Sequence, residues 1–249
     1  MRLTQHQTVA VLTLDGGKAN AIGPDFLRDL NGLLDQLEAC DAQAAVITGY
    51  GRFFSAGLYL PALVGQERAY LLDFMHLFGS TMRRVFDLPL PVVAAINGHA
   101  IAGGCVLALQ ADLRWMSDDA GKIGLNEAQL GLGLPPEVIE PLRLQVPARS
   151  WLPIAMEGQL VSPQAALDLG LVDRLLPATD LVPAAIDRAA QLAAIASPAF
   201  RQIKDALRRP ARQAIDAVVR DQTQSWLDTW FSAPAQERLQ AAVAKLKGG

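Results

Sequence analysis

Two glycine-bearing segments constrain this chain more than any other feature. Phe54-Ser55-Ala56-Gly57-Leu58-Tyr59-Leu60 and Asn97-Gly98-His99-Ala100-Ile101-Ala102-Gly103-Gly104-Cys105 each follow an apolar run of strand length, residues 44–48 and 91–96. Glycine permits tight turns and lets another molecule approach the main-chain N–H groups. A strand that delivers Gly103 to a helix start leaves its N–H without an intrahelical acceptor, at the positive end of the helix dipole. A turn at Gly57 can bare the N–H of Leu58 in the same way. Two such amides aimed at one carbonyl oxygen form an oxyanion hole, which stabilises charge developing on that oxygen. Alone, Gly103-Gly104 is better read as close helix packing; both segments in this order favour the ligand-facing reading.

Around these segments strand and helix alternate. Residues 8–14 read as a strand, followed by a Gly16-Gly17 turn and a helix with Phe26, Leu30, Leu33, Leu34 and Leu37 on one face. Residues 44–48, 91–96, 113–116 and 171–175 read as further strands, 97–102 as a loop, and 66–86, 151–157 and 163–169 as helices. Beyond Pro177 only helical periodicity remains, over 181–195, 198–208, 211–231 and 235–246. The pattern predicts an α/β core over residues 1–195 and a helical region over 196–249.

The composition narrows the class. With 51% hydrophobic residues, 249 residues suffice to bury one sizeable core. The 22 basic residues face 25 acidic ones without a basic run, which excludes a footprint for nucleic acid or an anionic membrane and leaves an anionic small ligand open. Cys40 and Cys105 have no metal-ligand spacing and are too few for a disulfide scaffold, so the expectation is no metal and a reducing compartment. No targeting pattern and no membrane-length apolar run stands in the sequence, so the expected location is cytoplasmic.

FSAGLYL at 54–60, AINGHAIAGGC at 95–105 and IGLNEAQLG at 123–131 resemble the signature segments of the crotonase superfamily, the enoyl-CoA hydratase/isomerase family. TLDGGKANAI at 13–22 resembles the stretch that commonly lines its coenzyme A site. The resemblance implies an α/β fold, a crotonase (ClpP-like) spiral of ββα units, with a C-terminal helical region used in subunit contacts. It implies a homotrimer or dimer of trimers that binds acyl-CoA thioesters, coenzyme A being part of the substrate and no separate cofactor being required.

Carried over by motif, the oxyanion donors are Leu58 and Gly103. Family hydratases flank an activated water with two glutamates; here the first position is Val106 and the second is Glu127. One carboxylate suits a shuttle that moves a proton from C2 to C4 of a 3-enoyl thioester. In this the chain is similar to the mitochondrial-type 3,2-enoyl-CoA isomerases. A hydratase or dehydratase, and a non-catalytic acyl-CoA binder, are the alternatives. The resemblance further places Lys18, Ala19, Ala56, Tyr59, Gly104, Val106 and Phe231 at the substrate. For Lys18, and for the tail lysines Lys245 and Lys247, a solvated surface position is an equal alternative; for Tyr59 it is a buried hydroxyl bonded to backbone. Tyr59 also departs from the aspartate that many family members carry there. Proline at 135 stands where family dehalogenases have a nucleophilic aspartate, which argues against covalent catalysis. Glu137 and Glu140 rank below Glu127 as proton carriers, and His99 is read as a packing residue.

Overall fold

Short apolar runs rich in valine, isoleucine and alanine give the chain its strands, and amphipathic helices close over them. The computed structural model describes residues 1–119, 121–195 and 197–247, without the Lys247 side chain. In chain order the strands are β1 (Arg2–His6), β2 (Val9–Thr13), β3 (Ala44–Thr48), β4 (Phe53–Ser55), β5 (Val92–Ile96), β6 (His99–Ile101), β7 (Leu113–Ser117), β8 (Ile123–Gly124) and β9 (Arg174–Leu176). The helices are α1 (Pro24–Ala39), α2 (Leu60–Leu63), α3 (Arg68–Phe86), α4 (Gly103–Leu109), α5 (Pro136–Gln145), α6 (Pro163–Asp168), α7 (Ala178–Ile195), α8 (Pro198–Trp230) and α9 (Ala233–Lys247).

Two sheets result: a six-stranded one in the order β1-β2-β3-β5-β7-β9, and a three-stranded one in the order β4-β6-β8. Only the β1–β2 pair is antiparallel within them. Three successive passes, β3 to α3, β5 to α4 and β7 to α5, each place a strand in the large sheet, the next in the small sheet, and then a helix. β3 and β5 are buried at every position, because α7 covers one face of the sheet and the main core covers the other.

The structure departs from the sequence reading in several places, among them α2 and α5, which lie where no helix is expected. The segment 97–102, expected as a loop, contains β6; like β4 and β8 it is too short for a two-residue period to show. β1 lies at the sheet edge, and its polar residues carry no alternation that would mark it. The strand expected at 171–175 begins only at Arg174, Leu171 and Val172 being buried in the turn after α6. The helices expected at 198–208 and 211–231 are one helix that runs through Pro210. Proline removes one helical N–H, but Lys204 and Arg208 before it and Ala211 and Ile215 after it are all buried, so packing holds the axis together.

The helical tail is not separately cored. Trp226, Leu227, Trp230, Ala235 and Leu239 pack into the cluster that holds Leu12, Ile47 and Ile96 of the large sheet. The boundary expected near residue 195 falls between two helices, α7 and α8; the last strand, β9, already ends at Leu176. Among the described residues no helix is long and apolar enough to cross a membrane.

Candidate active site

The two glycine segments meet where the small sheet passes into α2 and α4. Segment 19–22 runs beside 56–59: Ala56 N–H donates to the Ala19 carbonyl (3.0 Å), Ile22 N–H to Gly57 (2.7 Å) and Tyr59 N–H to Ile22 (2.9 Å). Alternate amides of a parallel pairing point to opposite sides, so the N–H of Leu58 faces away from Ile22. Among the described residues, neither Leu58 N–H nor Gly103 N–H donates to any acceptor.

Gly57 brings these two amides together. Its φ is 85°, in the left-handed region, and a Cβ there would lie 2.7 Å from the Ile101 carbonyl oxygen and 3.3 Å from Gly103 N. Only glycine permits this approach without strain. Ala102, just before α4, adopts φ 49° and ψ −117°, a conformation costly for a side-chain-bearing residue. Two bonds hold it there: its N–H donates to Gly124 (2.8 Å) and its carbonyl accepts from Val106 (2.9 Å). The strained residue thus aims the first amide of α4 at the cleft.

Glu127 completes the group. It precedes a short 3₁₀ turn, Ala128–Leu130, and its carbonyl accepts from Leu130 and Leu132, both at 2.9 Å. Its side chain is buried, and Oε2 has no hydrogen-bond partner. Burial pushes its pKa up to about 7, against a smaller lowering by its own backbone N–H. Glu127, Leu58, Gly103 and Val106 line one small cavity with Met75, Phe78, Leu132, Pro135, Val138 and Trp226. The residues that carry a bare carboxylate oxygen and two amides without acceptors therefore line the same apolar space, a setting for proton transfer next to a stabilised oxyanion.

The other residues singled out from the sequence are placed as follows. Ala19 and Ala56 are joined by the bond just described, and Lys18 is exposed beside them. Val106 is buried in the cavity wall. Gly104 has a packing role: a Cβ there would collide with the Ser55 carbonyl, so its bareness lets α4 close on β4. Tyr59 is 46% exposed and so is not the buried tyrosine weighed as its alternative; Phe231 is 38% exposed, under the Arg68 guanidinium and off the cavity wall. His99 accepts a hydrogen bond from Lys122 N–H at Nδ1 (3.1 Å) and packs on Phe53, which fits the packing role. The Lys247 side chain lies outside the described residues.

Two contributors were not marked as site residues by the sequence. Asn20 is fully buried and staples three segments: Oδ1 accepts from Gly16 N–H (2.9 Å), and Nδ2 donates to Leu14 (3.0 Å) and Phe54 (3.1 Å). Trp226 belongs to the cavity wall, although helical spacing alone assigns it only to a core or a subunit contact. A far larger cavity, about 880 Å³, lies between the end of α1 and the start of α8. Its buried cations Lys204 and Arg208 are paired with Asp112, and no unpartnered buried polar atom among the described residues lines it.

Comparison with known proteins agrees with this geometry. The family model described as enoyl-CoA hydratase/isomerase matches residues 4–248. The chain is 31% identical to human mitochondrial enoyl-CoA delta isomerase 1 over 243 residues, 96% of this chain and 80% of the relative. It is 34% identical to the carnitinyl-CoA dehydratase of Proteus mirabilis, over 87% of this chain and 83% of the relative. The crystal structure of human mitochondrial delta3-delta2-enoyl-CoA isomerase superposes with a TM-score of 0.92 at 28% identity, covering 97% of this chain and 95% of that one. The fold is the crotonase spiral, and the chain belongs to the enoyl-CoA hydratase/isomerase family of acyl-CoA enzymes.

Proposed function

We propose that this enzyme moves the double bond of a 3-enoyl-CoA thioester to the 2-position, with Glu127 as the only proton carrier. The thioester oxygen accepts from Leu58 N–H and Gly103 N–H. Glu127 takes a proton from C2, and the released electron pair delocalises onto that oxygen as a dienolate. The same carboxyl returns the proton to C4, the double bond settles between C2 and C3, and no water or separate cofactor is consumed. A carboxyl with a pKa of about 7 is suited to both halves of this exchange near neutral pH. The observation that carries the reading is the unpartnered Glu127 Oε2 in one cavity with the two bare amides and with Val106.

Incubation with 3-hexenoyl-CoA and, separately, 2-hexenoyl-CoA tests it. The expected result is conversion of the first to the conjugated thioester, with little hydration of the second. Hydration of the second without turnover of the first would establish the other reading, in which Glu127 and an ordered water add or remove water. The likeness to a dehydratase favours that alternative. Tight thioester binding without turnover of either would leave a non-catalytic binder.

Two variants probe the parts. Val106→Glu is expected to add measurable water addition to 2-hexenoyl-CoA, because it supplies a second carboxyl in the same cavity; an unchanged product ratio would remove position 106 from the decision. Gly57→Ala is expected to displace residues 101–103 and lower kcat by roughly 100- to 1,000-fold, the usual cost of losing one oxyanion donor. A kcat within a few-fold of the parent would show that the turn at Gly57 does not set the donors. We further infer that Lys18, Ala19 and Ala56 border the coenzyme A moiety, and that the enzyme acts in the cytoplasm as a homotrimer or dimer of trimers, which sedimentation equilibrium would measure.

A further inference from the structure

The cavity that Glu127 and the two amides share holds only about 20 Å³, roughly the room one water molecule requires. Any acyl group that enters must move side chains, so the wall decides which groups are admitted. Met75 and Phe78 of α3, Val138 of α5 and Trp226 of α8 form much of that wall. Met75 is unbranched and adaptable, and can turn aside to admit a short chain.

Trp226 is held differently. It is buried, its ring lies 5.2 Å from that of Trp230, and both Trp230 and the adjoining Leu227 are wholly inaccessible. On either side of it in sequence, Gln224 and Asp228 bind the Arg68 guanidinium at the start of α3, at 3.2 Å to Gln224 Oε1 and 2.7 Å to Asp228. This tie joins α3 to α8 beside the indole. Displacing Trp226 therefore means opening a packed tryptophan pair, whereas Met75, unbranched with three rotatable bonds, adapts to its surroundings more readily.

We propose that Trp226 is a specificity-determining residue that ends the acyl pocket and makes the enzyme favour short-chain over long-chain thioesters. The proposal rests on the reading that this cavity receives the acyl group of a thioester. It makes the chain-length limit a property of α8 and not of the residues that move the proton.

The test compares 3-hexenoyl-CoA with 3-dodecenoyl-CoA. The parent enzyme is expected to favour the shorter thioester by roughly 100-fold in kcat/KM, and Trp226→Ala to reduce that ratio at least ~10-fold by gaining activity on the longer one. Equal kcat/KM for both in the parent, or an unchanged ratio in folded Trp226→Ala, overturns the proposal. If the alanine variant fails to fold, Trp226→Leu and the parent's calorimetric binding of saturated hexanoyl-CoA and lauroyl-CoA decide the matter: length-independent binding by the parent overturns it. Preferential binding of hexanoyl-CoA by a protein that turns over no enoyl thioester would sink the isomerase reading and leave this inference standing.

Discussion

Glu127→Gln is expected to lower isomerisation by roughly 100- to 10,000-fold and, at the same time, to make the folded protein more stable at neutral and alkaline pH. Both effects have one cause. Burial without a partner for Oε2 disfavours the charged carboxylate and raises its pKa from 4.5 to about 7. Between those values the native protein holds a proton that the unfolded chain has released, so stability falls as pH rises through this window and levels off above about 7. The full shift corresponds to about 3 kcal/mol. Glutamine is nearly the same size and never charges, so the variant escapes this loss and also cannot carry a proton. Urea denaturation at pH 5 and pH 8 should show a stability difference that is small at the first and near its maximum at the second, alongside collapse of kcat. Turnover within tenfold of the parent would remove Glu127 from the chemistry, whatever the stability result.

The parts of this site that were legible in the sequence are those whose chemistry is local. A left-handed turn at Gly57 and a bare helix start at Gly103 each follow from a few adjacent residues, and the structure brings them into contact. Glu127 stood out only through the motif around it, because nothing intrinsic separates one of 25 acidic residues from the rest until burial is known. What stayed hidden depends on distant partners. The spacing of Trp226 marks it as buried, yet that it closes a cavity is decided by Met75, Phe78 and Val138, all more than eighty residues earlier. Strands of two or three residues, such as β4 and β8, exist only because neighbours pair with them. Pro210 signals a break that tertiary packing overrides.

Asp112→Ala is expected to destabilise the protein by about 3–5 kcal/mol, because it strands two buried cations at once. Asp112 accepts from Lys204 Nζ and from Arg208 Nη2, each at 2.6 Å, and from Val92 N–H at 2.8 Å. Both cations are almost wholly buried, with side chains 9% and 5% exposed. Their remaining hydrogen bonds go to carbonyls, Leu90 for lysine and Phe86 and Gln110 for arginine, and the guanidinium also lies over the Phe86 ring at 4.3 Å. These satisfy hydrogen bonds without neutralising charge. The two cations differ in how they can respond. Burial already lowers the Lys204 pKa to about 8, against the raising effect of Asp112, so without that carboxylate the lysine can shed its proton at neutral pH. Arginine has no such escape. Asp112→Ala combined with Arg208→Met should therefore recover more stability than Asp112→Ala combined with Lys204→Met, as read by urea denaturation at pH 7. A loss below about 1 kcal/mol in the single variant, the range of an exposed ion pair, would show that these charges are not part of what fixes α8. If the expected order holds, the ions anchor the first half of the helix whose second half carries Trp226. The wall of the cavity beside Glu127 is then secured at one end by electrostatics and at the other by packing.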